Sequence, residues 1–120
     1  MKTESISIVN NKVIIPSGLN EIWMTTNQII NLFECFTSKV NGNIRAIVKS
    51  RVLDNTKVCR TYYYKNGNSV EQYNLEMIIA LSFRIKTHNA GIFREWILKR
   101  MIIEVCRKPI PIAETSISRN

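Results

Sequence analysis

The chain of 120 residues is one domain's length, and 45% hydrophobic with 22% charged residues suits a globular core rather than a disordered chain. Seventeen Lys and Arg against nine acidic residues give a net charge of +8, which favours a polyanionic partner over a neutral one. No run approaches the roughly 20 apolar residues of a membrane span, and the first residues lack a secretory leader pattern, so the cytoplasm is the expected compartment. Cys35, Cys59 and Cys106 are too scattered for a disulfide framework or a C-x-x-C zinc site, and His88 stands alone. No metal or cofactor is expected. The basic excess is uneven: Lys39 to Arg60 holds six basic residues and one acidic, and Arg84 to Lys108 holds seven against two.

Residues 5–9 and 12–15 alternate polar and apolar side chains across Asn10-Asn11, the pattern of a small hairpin, and Pro16, Ser17 and Gly18 break it. A periodic segment starts near Trp23. Thr25 with Gln28 has the spacing of a capping box, Met24 with Ile29 that of a hydrophobic staple, and Ile29, Leu32 and Phe33 share one helical face. After a break at residues 34–36, Thr37 or Ser38 can cap a second helix with Val40, Ile44, Ile47 and Val48 as its buried stripe. Gly42 weakens that helix by roughly 1 kcal/mol relative to Ala. A polar turn at Asp54-Asn55 leads to a strand over residues 58–64, an Asn66-Gly67 turn, and a return strand over 69–73. Asn74 can cap a central helix over 75–84, wrapped by Leu75, Met77, Ile78, Ile79, Leu81 and Phe83. A last helix begins at Asn89 or Ala90, with Phe93, Trp96, Ile97 and Met101 inward and a Glu95–Lys99 pair outside. Pro109 and Pro111 end it, and residues 109–120 form a frayed tail. The predicted class is α+β, one small domain in the order ββ-α-α-ββ-α-α.

Two short helices around a three- or four-residue break are how a helix-turn-helix offers its second helix to the major groove. Ile29, Leu32, Cys35, Val40 and Ile44 would face inward, leaving Thr37, Ser38, Asn41 and Arg45 outward. Arg can read guanine, Asn can read adenine, and hydroxyls and a helix N-terminus can hold phosphate. The competing expectation is a two-helix core element with a solvated polar face. The Asn66-Gly67 hairpin would act as a wing, with Arg60 and Lys65 on phosphate. Alternation should send at least one of Tyr62, Tyr63 and Tyr64 into the core. No local signature marks a nucleophile or base, so no catalytic residue is expected, and the cysteines read as small core residues.

The residues also resemble a known family. Trp23-Met24-Thr25, Gln28-Ile29 and Leu32-Phe33, running on to Ser38, Val40, Ile44 and Lys49, are similar to the N-terminal domain of the virulence-associated RhuM family. Asn55-Thr56-Lys57-Val58-Cys59 resembles that family's region before its hairpin. Tyr73-Asn74-Leu75, Ile78-Ile79, Phe83-Arg84-Ile85 and Phe93-Arg94 with Trp96 resemble its closing signature. The resemblance implies a bacterial protein of mobile elements, with a helix-turn-helix-like DNA-binding domain akin to phage antirepressor N-terminal domains. Family members are longer, so the chain is expected to be a trimmed or short relative. Three positions depart from the pattern: Glu34 replaces a turn glycine, Ile30 a small residue, and Gly42 an outward arginine.

Together these lines predict a RhuM-like winged domain over residues 1–108 that binds double-stranded DNA without catalysis. Thr37, Ser38, Asn41 and Arg45 would face the groove, and Lys39, Lys49, Arg51, Arg60 and Lys65 the phosphates. A protein-interaction module of the antirepressor-adaptor kind, with a protein partner or as a homodimer, is the alternative.

Overall fold

The computed structural model describes residues 5–16 and 22–107. The predicted break at Ser17 and Gly18, the boundary at 108 and the tail with Pro109 and Pro111 lie outside the described residues. The N-terminal alternation forms β1 (Ser7–Val9) and β2 (Lys12–Ile14), paired antiparallel with Ile8 opposite Val13. Asn10 and Asn11 both take positive φ, 52° and 62°, as a two-residue type I′ connection requires.

A third strand, β3 (Trp23–Thr25), precedes the first helix and was not legible as a strand. Helix α1 (Thr26–Phe33) then starts from the expected capping box: Thr25 Oγ1 accepts from Gln28 N at 3.2 Å, and Thr25 N donates to Gln28 Oε1 at 2.9 Å. Met24 and Ile29, the staple pair, are both fully buried. Helix α2 (Thr37–Ser50) buries Val40, Ile44 and Ile47, with Val48 packed beside them. Its N-cap is Phe36, not Thr37 or Ser38, and no side chain caps it; Thr37 is already the first helical residue.

The Asp54-Asn55 turn is a single helical turn, α3 (Asn55–Val58), capped by Asp54 Oδ1, which accepts from Thr56 N at 3.0 Å. Those hydrogen bonds from Thr56 hold the Asp54 carboxyl below its ordinary pKa. Strands β4 (Cys59–Tyr63) and β5 (Ser69–Asn74) form the expected hairpin. Its loop has three residues: Tyr64 N donates to Asn68 O, Gly67 N to Tyr64 O, and Gly67 sits at φ 94°, where a Cβ would be strained. Strand β3 pairs with the other edge of β5, so the sheet order is β3-β5-β4.

Asn74 caps α4 (Leu75–Ser82) through Met77 N, and α5 runs His88–Arg107. Helix α4 ends two residues before the predicted 84, so Phe83 falls at its C-cap and is 52% exposed rather than buried. Met101, expected inward on α5, is 58% exposed, because the helix has left the core by that point. The described residues thus form a small α+β domain with five helices and two small antiparallel sheets. Its core gathers Met24, Ile29, Phe33, Val40, Val58, Met77, Ile78, Leu81 and Phe93. Among the described residues no helix is long and apolar enough to cross a membrane.

Long-range polar bonds fix the connection between α4 and α5. Arg94 Nη1 donates to Ser82 O and to Ile85 O, closing the C-terminal end of α4. Thr87 Oγ1 donates to Phe33 O at 2.6 Å and accepts from Ala90 N at 3.2 Å, while Asn89 Nδ2 donates to Leu32 O at 3.0 Å. Thr87→Val keeps the shape and removes both bonds, so it should lower unfolding free energy by about 2 kcal/mol. Thr87→Ser should lose less than half of that. A urea melt with unchanged slope reads both.

Candidate nucleic-acid interface

Helix α2 buries the face carrying Val40, Ile44 and Ile47. At 3.6 residues per turn the opposite face carries Ser38, Gly42, Arg45 and Lys49, spaced i, i+4, i+7 and i+11. Ser38, Arg45 and Lys49 are exposed, and a side chain at Gly42 would meet no atom within 4 Å. Thr37 and Lys39 are exposed at the first turn, and Asn41 is half-buried toward the edge of the stripe. Arg51 closes the helix at φ 62°, its N–H donating to Val48 O at 3.1 Å. Seven of the nine predicted residues therefore lie on one helix or its cap.

The turn into α2 is Glu34-Cys35-Phe36. Glu34 adopts φ 52° and ψ 59°, the left-handed conformation, and donates its N–H to Ile30 O at 2.7 Å. A non-glycine residue there is held in a conformation that costs about 1–2 kcal/mol. Beside the turn lies a cleft of about 450 Å³ lined by Phe36, Lys39, Arg84 and Lys86 among others. Arg84 was missed at the sequence level: its Nε donates to Asn43 Oδ1 at 2.9 Å, and Asn43 Nδ2 donates to Lys39 O at 2.8 Å. This chain of bonds holds a guanidinium against the flank of α2 from 41 residues away. No local spacing announces a contact of that separation.

The other two predicted residues sit on the hairpin. Lys65 is exposed in its loop. Arg60 is not a free arm: its guanidinium lies 4.3 Å from the Trp23 ring centroid, and its Nε donates to Gln72 Oε1 at 2.8 Å across the strand pair. Stacking and hydrogen bonding fix it on the sheet face. The tyrosines correct the sequence expectation. Tyr62, Tyr63 and Tyr64 are 47%, 72% and 48% exposed, and Tyr62 and Tyr64 meet edge to face at 5.3 Å. Past Cys59 the hairpin extends beyond the helices, so alternation has no core to turn a ring into.

Of the cysteines, Cys35 packs against the core as expected, whereas Cys59 and Cys106 do not belong to it. Cys35 and Cys59 are half-buried, Cys106 is exposed, and none is in a disulfide. Cys59 Sγ lies 2.9 Å from Glu71 Oε1, and burial together with that carboxylate pushes its pKa up to about 11. His88 is exposed, with Nε2 3.1 Å from Asn11 Oδ1. Among the described residues no three His, Cys, Asp or Glu side chains are grouped to hold a metal ion. Compared with known proteins, the chain matches no family model, no curated protein and no solved structure.

Because nothing stands near Gly42, Gly42→Ala should raise unfolding free energy by about 1 kcal/mol from helix propensity alone. Glu34→Gly should raise it by a similar amount by relieving the left-handed turn. Thermal melts of the two single variants and the double variant test this. The Cys59 thiol should gain alkylation rate by about fifty-fold between pH 9 and 11, where an ordinary thiol with a pKa of 9.0 gains only about twofold. Mass-mapped iodoacetamide labelling across that range measures it.

Proposed function

We propose that the domain binds double-stranded DNA in the manner of a winged helix-turn-helix, with α2 toward the major groove and the β4–β5 hairpin as wing. The observation that carries the reading is the two-sided character of α2. One face is sealed by Val40, Ile44 and Ile47, and the opposite face offers Ser38, Arg45 and Lys49 to an anion. The order strand, helix, three-residue turn, helix, hairpin supports it, as does the joining of β3 to the far edge of the hairpin. Thr37, Ser38, Asn41 and Arg45 take the groove, and Lys39, Lys49, Arg51 and Lys65 take phosphates. Arg60, stacked on Trp23, is a fixed cation of the wing, and Arg84 and Lys86 extend the phosphate surface beside Lys39. The resemblance to the RhuM family supports the same reading: a non-catalytic, cytoplasmic, DNA-binding domain of a bacterial mobile-element or virulence-associated protein.

A second reading, a non-catalytic protein-interaction module of the antirepressor-adaptor kind, is favoured by the gap at Gly42 in the middle of the outward face. A stable heteromeric complex that excludes DNA would select it.

The test is a duplex-binding titration across salt. With about six phosphates neutralised, log K should fall with log salt at a slope of roughly −5. Arg45→Ala and Lys49→Ala should each flatten the slope by about 1, whereas Gly42→Arg should steepen it by about 1 and tighten binding. No binding at low salt, or slopes indifferent to Arg45 and Lys49, removes the assignment.

A further inference from the structure

Residues opposite one another in an antiparallel sheet share a face, and neighbours along a strand alternate faces. Arg60 lies opposite Gln72 and donates to it, and Tyr62 lies opposite Val70. The Arg60 guanidinium covers the Trp23 ring, and Tyr62 meets Tyr64 edge to face. Trp23, Arg60, Tyr62 and Tyr64 therefore share one face of the β3-β5-β4 sheet. The other face carries Met24, which is fully buried, with Tyr73 opposite it. It also takes Glu71, which is bonded to Cys59 and Thr61 and is the one acidic residue of the three strands. The aromatic face thus has cations without a carboxylate from its own strands. The partners of Arg60 there, an indole and a carboxamide, leave its charge unneutralised, and Lys65 is exposed in the loop at the far end.

Arg60, Tyr62 and Tyr64 follow one another two residues apart, a row with a spacing of about 7 Å. The two rings are about half exposed, and a cation stands at each end of their row. A ligand that matches this face needs flat rings to stack and negative charge on either side of them. A duplex keeps its base faces inside the stack, and an acidic peptide has the charge without the succession of rings. An unpaired strand has both. We propose that this face binds single-stranded nucleic acid, with a base stacked on each of Tyr62 and Tyr64 and a phosphate held by each of Arg60 and Lys65. Trp23 and Gln72 hold the Arg60 guanidinium in place before the strand arrives, and tyrosines lose little side-chain freedom on binding. Two bases and two phosphates make a short contact, so half-saturation falls on the order of tens of micromolar at low salt. The inference goes beyond duplex binding by α2 and does not depend on it.

The test is fluorescence anisotropy of a labelled oligothymidylate of about 12 nucleotides, which forms no duplex, titrated with the full chain. Wild type should bind it with a log–log salt slope of roughly −1.4, two phosphates at about 0.7 each. An abasic strand of the same length, with the phosphates but no bases, should bind at least about fivefold more weakly. Tyr62→Leu and Tyr64→Leu should each weaken oligothymidylate binding by about fivefold or more, whereas the phenylalanine variants, which keep the ring, should stay within about twofold. Both sites are exposed, so circular dichroism and melting of all four variants should match wild type. Arg45→Ala, on α2, should leave oligothymidylate binding as it is. No binding at low salt, equal binding of the abasic strand, or binding that follows Arg45 and ignores both leucine variants would each overturn the proposal. Duplex binding lost while the oligothymidylate still binds removes only the reading of α2, and the reverse removes only this one.

Discussion

The fold turns on the end of α1. A helix leaves its last four carbonyls without partners, and here two of them, Leu32 O and Phe33 O, are taken by Asn89 and Thr87, which are 57 and 54 residues away in sequence. The same Thr87 hydroxyl accepts from Ala90 N, so one side chain ends α1 and starts α5. Beneath it Phe33 and Phe93 meet edge to face at 5.7 Å, both fully buried. Polar closure and aromatic packing therefore act at one place, and the exit of α1 is fixed against α5. The entry of α2, three residues later, inherits that position.

The other end of the same connection is fixed by Arg94, which reaches from α5 to the carbonyls of Ser82 and Ile85. Held at both ends, the segment between α4 and α5 presents Arg84 and Lys86 beside α2 as part of a rigid surface. Asn43 is the link that joins this segment to the helix. Its amide is engaged at both ends, since Oδ1 accepts from Arg84 and Nδ2 donates to the Lys39 carbonyl. An asparagine engaged at both ends has its orientation fixed and positions its neighbours.

Much of the architecture was legible because its signals are local. The capping box of Thr25 and Gln28, the stripe of Val40, Ile44 and Ile47, the Asn10-Asn11 and Gly67 turns and the Asn74 cap each need only a few neighbouring residues. What escaped was set by distance or by extent. Strand β3 has three residues and exists through its pairing with β5, and α3 is one turn closed by Asp54. Met101 and the three tyrosines follow correct periodicities into regions where no core remains to receive them. Within the candidate site, α2's outward face was readable from helical spacing, whereas Arg84 and the stacking of Arg60 on Trp23 depend on tertiary contacts.

The charge takes a different form in space than along the chain. By sequence the cations divide into a group centred on α2 and a group from Arg84 onward. In the structure Arg84 belongs with the first group, held to Asn43, and Arg94 is spent on backbone carbonyls. Lys99 and Arg100 stay exposed on α5, so α2, its flank and the wing carry part of the cationic surface, and the chemistry of that part is uneven. Under the proposed DNA reading, phosphate contact needs only charge within reach, which Lys39, Arg45, Lys49 and Arg84 provide. Base recognition needs donors and acceptors at fixed places on the outward stripe. There Gly42 leaves an open position, Asn41 is half-buried, and Asn43 is committed to Arg84. Arg45 is the one long donor left at the centre of the stripe. If the domain binds DNA as proposed, this geometry suits attachment to the backbone better than discrimination between sequences.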